Sequence, residues 1–598
     1  MFRFNKLLLV IIFALFSHIA VAQQLLNKIV AIQANKKPVK EVLKSIGKEG
    51  NFYFSYNSNI IREDSLVTIN SNNKTVRQLL DLLFDGSIEY KEKDNYIILQ
   101  RSPGYWYISG YIVDETTGER IENASVYEKN QLVASLTNAQ GYFKLKLKDR
   151  MQPATLSISK AWYSDTSLSV KPGAEQELTL SIAPKSFALD SIVISPHSGV
   201  EDTWLGKFFL SGKQKMQSLN INKFFVEMPY QASVLPGIGT HGKMGGQVTN
   251  KISFNIFGGY AAGVEGVEVG GLFNIVKNEA KYTQIAGLFN VTGGRVTGAQ
   301  IAGLYNHVLD SMDGVQVAGL SNMLLGSAYG AQIAGLYNHV QYDVDGTQIA
   351  GLTNYTRLKT DGAQIAGLTN YTGGDADGVQ IGGLANLGAR NVDGTQIAGL
   401  GNIAGKEMNG VQIAGLFNYA RKLDGVQIGI INIADTSSGY SIGILNLVRK
   451  GYHKLSYSIN ELTRYNATFK AGNKKLYSIL LGGWNGDGAN KVVTWGYGMG
   501  TEVSLTKHLS INPELTAQYL FLGEWNVNNL MKLQADLTYH ITPYLAIYAG
   551  PSISLYVAES TIAAEGFRTQ IPGNGVRSLY RDETTASWIG GHVGISIF

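Results

Sequence analysis

Six aspartates, Asp313, Asp345, Asp361, Asp377, Asp393 and Asp424, each stand before a glycine in a chain of 598 residues. A stack of carboxylates can hold calcium through oxygen ligands, as some solenoids do. Asp-Gly is equally the commonest turn dipeptide, and a calcium coil normally offers more than one carboxylate. Of the nine histidines, His307 and His339 share one phase of a repeat, with Met323 at the matching place between them. Imidazoles so placed could ligate a metal, yet the repeat by itself accounts for their spacing. Glu514, Lys532, Asp536 and His540 fall on one parity of two long alternating runs, where they would meet as structural ion pairs. The segment GGWNGDGAN from Gly482 is Gly-rich but precedes no helix, so it reads as a loop rather than a phosphate cradle. Cysteine is absent, which excludes disulfides, thiolate metal sites and a cysteine nucleophile. No paired acid, catalytic triad or metal motif stands out. The expectation is a protein that is not an enzyme and needs no cofactor.

The elements that position these residues are set by a glutamine. Gln284, Gln300, Gln316, Gln332, Gln348, Gln364, Gln380, Gln396 and Gln412 recur every 16 residues, and Gln427 follows after 15. Each lies in a unit such as GVQIAGLFN, Gly410 to Asn418. A fixed short period means one supersecondary unit copied many times. Two geometries accommodate it. In an antiparallel meander, turns alternate between two sides, so the sequence should alternate every two units; the connections NHVLDSMDG, NHVQYDVDG and NYTRLKTDG do not. A barrel also needs a stagger that identical turns do not supply. In a parallel solenoid, Gln stacks on Gln and Asn on Asn, their amides hydrogen-bond along the ladder, and Ile and Leu stack inside. The parity allows the other arrangement: Val411, Ile413 and Phe417 share one face and Gln412, Ala414 and Asn418 the other, as in a membrane barrel with an Ala-Gly bulge. The solenoid is favoured, with strands of one large antiparallel barrel as the alternative.

Composition bounds the rest. Gly at 69, Tyr at 32 and only 12 Pro make a β-rich signature, and a net charge of +5 makes no case for nucleic acid. Residues 1–22 read as a signal peptide: Arg3 and Lys6, then apolar Leu7 to Phe16, then Ala20-Val21-Ala22 before Gln23. No apolar run reaches the length of a membrane helix, so any membrane embedding would have to use a β-barrel.

Residues 27–101 alternate strand and helix. Ile29 to Ala34 predicts a strand, and Pro38 opens a helix with Val39, Val42, Leu43 and Ile46 on one face that Gly47 or Gly50 ends. Phe52 to Phe54 predicts a strand, Thr75 caps a second helix carrying Leu79, Leu80 and Leu83, and Ile88–Tyr90 with Tyr96–Leu99 form a hairpin. On ANKKPVKEVLKSI and NNKTVRQLLDLLFDGSIEYKEKDNYIIL, this segment resembles the short N-terminal domain of secretins and TonB-dependent receptors, which implies a periplasmic signalling or docking module. Residues 107–184 read as strands and turns, with ISGYIVDETTGERIENASVY leading into LTNAQGYFKLKL. They resemble the carboxypeptidase regulatory-like sandwich, seven strands in an immunoglobulin-like fold, with Asp114, Gly118, Ala124, Gly141 and Phe143 at its characteristic positions. That name implies no peptidase activity, and no His-x-x-Glu pair is present to hold zinc. Residues 185–249 read as a linker. Within them Asp190, Ser191, Ile192, Val193, Ile194 and Ser195 are reminiscent of a TonB box, although no plug pattern follows between Val200 and Thr249.

In residues 451–598, runs of 11 to 14 residues alternate. Met531, Leu533, Ala535, Leu537, Tyr539 and Ile541 interleave with Lys532, Gln534, Asp536, Thr538 and His540, and Leu509 to Phe521 does the same. This suits tilted membrane strands, about eight of them. The chain ends on Phe598, as outer-membrane barrels do, while Ser596 stands where a hydrophobe is expected. Together with the 16-residue repeats of 250–450, GVQIAGLFN and GYSIGILNLVRKG resemble a surface-repeat family of bacterial envelope proteins, which implies envelope location and no particular activity. The fold expected is mainly β and multidomain. The function expected is an outer-membrane-anchored protein in contact with membrane lipid, its N-terminal modules meeting a periplasmic partner, either TonB or a signalling regulator. The alternative is a TonB-linked receptor or regulator of nutrient uptake.

Overall fold

The computed structural model describes residues 25–598 except 85–87, 102–104, 149–152, 172–175, 186–198, 487, 489, 560–562, 574 and 598. The signal-peptide segment, Asp190 to Ser195 and Phe598 therefore lie outside the described residues. Two compact units separate, one reaching Ala188 and the other holding most of the chain beyond it.

The first unit contains two small domains. In the first, helix Val39–Gly50 begins directly after Pro38, and Asn51 ends it in the left-handed conformation at φ 54°. The second helix, Val76–Phe84, has a reciprocal cap: Gln78 N–H donates to Thr75 Oγ1 and Thr75 N–H to Gln78 Oε1 at 3.0 Å. Val42, Leu43 and Ile46 of one helix share a core with Val76, Leu79 and Leu80 of the other. Strand Leu66–Thr75 pairs antiparallel with Ile29–Pro38. It escapes the sequence pattern because its second half, Asn70 to Lys74, is polar. The second domain is a sandwich of a four-stranded and a three-stranded sheet over Trp106, Ile108, Phe143, Leu145, Leu156 and Ile158. Strand Gln176–Ile182 runs parallel to Trp106–Asp114 so closely that a Cβ on Gly110 would come within 1.9 Å of Leu178 O.

The second unit is a parallel β-solenoid joined to an antiparallel barrel. Most coils have a seven-residue strand, such as Val344–Ala350, and a four-residue strand, such as Thr353–Thr356. Both pair in register with the coils before and after, so Gln348 lies beside Gln332 and Gln364, and Asn354 beside Asn338 and Asn370. The parallel solenoid is thus the geometry of the repeat, and the single large barrel is not. The expected interior is inverted, however. Gln, Asn, Ala and an apolar position such as Val344 point inward and are buried, while Ile and Leu point outward. The coil interior is narrow, and its tight Ile-Ala-Gly-Leu turn leaves carbonyls that only a buried donor can reach. Asn354 Nδ2 fills that need, donating to Ile365 O at 2.8 Å and to Asn370 Oδ1 at 2.9 Å.

The Asp-Gly pairs are not hairpin turns. They lie inside the long strand, where Gly346 takes φ 138° and a Cβ would sit 2.0 Å from Gly330 O. Glycine is required there by both the conformation and the stacking. The solenoid also starts before the repeat motif, because Val226–Leu235 already pairs parallel with Val248–Asn255. Residues 200–220, expected within a linker, form a short 3-10 turn and two helices. From them, Phe209 stacks on Phe273 at 3.9 Å, covering the first coils.

Three residues separate the last short strand, Leu445–Val448, from the barrel, which begins at Tyr452. Eight antiparallel strands close when Tyr452–Asn460 pairs with Thr585–Ile597. At that seam Ser456 and Ser596 hydroxyls meet at 2.8 Å, so Ser596 is an inward partner rather than a misplaced hydrophobe. Leu515, Met531, Leu533, Leu537, Ile553 and Ile595 face outward.

Candidate functional site: amide ladder and charged lumen

Three arrangements of polar side chains could carry function: a ladder inside the solenoid, a column on its surface and a network in the barrel. In the ladder, Gln348 Nε2 donates to Gln332 Oε1 at 2.9 Å and Gln364 Nε2 donates to Gln348 Oε1 at 2.8 Å. The same bond links every neighbour from Gln284 through Gln300, Gln316, Gln380, Gln396 and Gln412 to Gln427, at 2.7–2.9 Å. All nine predicted ladder glutamines are therefore brought together. The direction of donation has a cause at the N-terminal end. Gln284 Nε2 donates to Glu268 Oε2 at 2.8 Å, which leaves Gln284 Oε1 to accept from Gln300, so every amide behind it points the same way. The asparagine ladder runs oppositely: Asn290 Nδ2 donates to Asn306 Oδ1 at 3.0 Å, and each following Asn donates onward. It is oriented by its second donor, which bonds a turn carbonyl.

Glu268 is fully buried and also accepts from Ser253 Oγ at 3.0 Å and Asn255 Nδ2 at 3.1 Å. Burial pushes its carboxyl up to about 7, against the pull of those hydrogen bonds. The glutamine period does not include it. The signal was the V-E-V-G stretch at Val267–Gly270, which replaces V-Q-I-A one coil earlier.

On the surface, the aspartates form an exposed column, of which Asp313, Asp361 and Asp377 pair with basic residues. Lys359 Nζ lies 2.8 Å from Asp377 and 3.4 Å from Asp361, and Arg295 lies 3.3 Å from Asp313. Among the described residues no group of three or more His, Cys, Asp or Glu is arranged to hold a metal. His339 stacks on Tyr355 and Tyr355 on Tyr371, each at 4.9 Å. His307 sits beside Met323 in the same column, and burial with some repulsion from His339 pulls it down to about 4. The shared phase of the histidines thus belongs to a packing column.

The lumen of the barrel is lined with opposite charges. Lys470 pairs with Glu514, which also accepts from Tyr477 Oη at 2.6 Å and Gln534 Nε2 at 2.8 Å. Lys454 pairs with Glu502 at 2.8 Å, Lys532 with Glu461 at 3.2 Å and His592 with Asp536 at 2.5 Å. Glu514, Lys532 and Asp536 do point inward, as the alternation predicts, but Glu514 and Asp536 take their partners from other strands and Lys532 takes Glu461 from a turn. His540 stands nearer the rim, beside Ser510 Oγ at 3.2 Å. Lys454 and Lys470 were legible in the same alternation of their own strands; Glu461 and Glu502, in turns, were not. Between these groups remains a cavity of about 40 Å³, room for a few waters. Chemically the lumen is an ionic plug, in which the Lys–Glu pairs are hydrogen-bonded while the Asp536 carboxylate and the His592 ring lie close together without a well-aligned hydrogen bond.

Residues 108–194 match the family described as CarboxypepD_reg-like domain. Among curated proteins, none matches this chain. The sandwich is therefore a carboxypeptidase-regulatory-like domain, and Asp114 helps to hold it: its Oδ1 accepts from Thr116 N–H at 2.8 Å and its Oδ2 from Tyr163 Oη at 2.9 Å.

Proposed function

We propose that this chain is an outer-membrane-anchored, non-enzymatic protein whose barrel is a closed anchor, whose solenoid is a rigid scaffold and whose N-terminal modules bind a periplasmic protein partner. The observation that carries the reading is the closed eight-strand barrel. Its outward residues form an apolar belt and its inward residues neutralise one another, the reverse of a soluble domain and the pattern of a membrane barrel. The carboxypeptidase-regulatory-like match is compatible with an envelope protein. The likeness of residues 27–101 to the secretin and TonB-receptor short domain supports a docking role. A TonB-linked uptake receptor has less support, because the packed lumen offers no path for a solute.

Fractionation of the native host tests the proposal. The mature chain is expected in the outer-membrane fraction after a high-salt wash. Recovery in the soluble periplasm would overturn it.

A further inference from the structure

The solenoid is amphipathic along its axis. Two columns of side chains flank the Ile-Ala-Gly-Leu turn. One runs from Phe254 through Val269 and Ile285 to Ile442, the other from Phe257 through Leu272 to Ile444. The isoleucines of the first column from Ile285 onward are 37–41% exposed, and Phe254 and Phe257 at the far end about half exposed. Thirteen coils at ~4.8 Å each give a ridge of roughly 58 Å. No charged residue interrupts either column among the described residues. The charges lie on the opposite edge, where Lys359–Asp377, Arg295–Asp313 and Lys422–Glu407 pair across neighbouring coils. More than twenty such side chains exceed the ~300–600 Å² patch that a soluble monomer usually shows.

Two further observations say what covers this ridge. First, the turn's backbone donors are satisfied from within: Gly351 N–H bonds Ala334 O at 3.2 Å, and Leu352 and Thr353 N–H both bond Leu336 O at 3.0 Å. Hydrocarbon offers no hydrogen-bond partner, so an edge that faces lipid requires this satisfaction. Second, the ridge ends on the barrel's outer wall. Tyr497 Oη donates to Gly443 O at 2.8 Å, and Asn446 N–H donates to Ser478 Oγ at 3.2 Å. Tyr497 shares its face with Trp495, which is 41% exposed in the apolar belt. Gly443 and Ile444 are the last copy of the apolar turn, so ridge and belt are continuous.

We infer that the Ile/Leu edge of the solenoid rests in the acyl chains of the bilayer that the barrel spans, making the solenoid a second membrane contact. This rests on the membrane reading of the barrel. The test uses the absence of native cysteine. Spin labels are placed in the full chain at Leu368→Cys on the ridge, Asp361→Cys on the opposite edge and Leu533→Cys on the barrel belt. Each variant is reconstituted in phosphatidylethanolamine and phosphatidylglycerol vesicles. At 368 and 533, collisions with oxygen should exceed those with a water-soluble nickel chelate several-fold; at 361 the order should reverse. If 368 behaves like 361 while 533 reads lipid, the inference fails and the barrel reading stands. If 533 is also aqueous, both fail. A label at 368 shielded from both reagents overturns the inference too, and dipolar broadening would then identify a second copy as the occupant.

Discussion

At the scale of single residues, burial of a polar group is tolerated only when its bonds are complete. Gln348 is fully buried and has a glutamine on each side. Replacing it with Leu leaves Gln332 Oε1 without its donor and takes Gln348 Oε1 away from Thr356 Oγ1 and from Gln364 Nε2, which keeps only Thr356 Oγ1 as acceptor, at ~1–3 kcal/mol for each group left unsatisfied. Gln348→Lys is worse, since it buries an ammonium among neutral amides with no counter-ion. Amide hydrogen exchange in the adjoining coils should show both, with Lys giving the larger loss of protection. Glu268 makes a pH-dependent case. Its carboxyl titrates near 7 in the fold and near 4.3 when unfolded, so the folded state binds the extra proton between those values. Stability is fully present below about pH 4 and is lost as pH rises to 7, by about 3 kcal/mol for a shift of this size. Glu268→Gln should flatten that slope in thermal unfolding between pH 4 and 8. A slope of unchanged size would contradict the assignment.

At the scale of elements, the coil is specified by its glycines as much as by its amides. Gly346→Ala places a Cβ 2.0 Å from Gly330 O at φ 138°, which no rotamer can relieve. Opening of coils 330–362 at a cost of at least ~2–3 kcal/mol follows, read as faster proteolysis there. Thr347→Ala, one residue on, is the comparison and should be nearly silent. Much of this element was legible. The uninterrupted 16-residue spacing and the lack of two-unit alternation pointed to parallel coils, and the glutamines stack as that spacing requires. Which parity faces inward was not legible. Hydrophobicity alone assigns Ile365 to the core and Gln364 to water. The reverse holds because a ladder satisfies every amide bond, a cooperative property absent from any single unit. In the barrel the alternation of Met531 to Ile541 was enough to tell inside from outside, but not the partners, since Lys470 and Glu514 come together only when the strands close.

At the scale of the whole second unit, a solenoid with an apolar edge runs directly into a barrel with an apolar belt, across Arg449 to Gly451. The proposed anchor requires this belt to face lipid. Trp484 and Trp495 lie on it, 52% and 41% exposed, whereas Trp588 is fully buried inside. The most direct measurement is tryptophan fluorescence of the full chain in vesicles of phosphatidylcholine brominated along its acyl chains, compared with unbrominated vesicles. Quenching is predicted, and it should fall sharply in the Trp484→Phe, Trp495→Phe double variant. Equal fluorescence in the two kinds of vesicle would contradict the account.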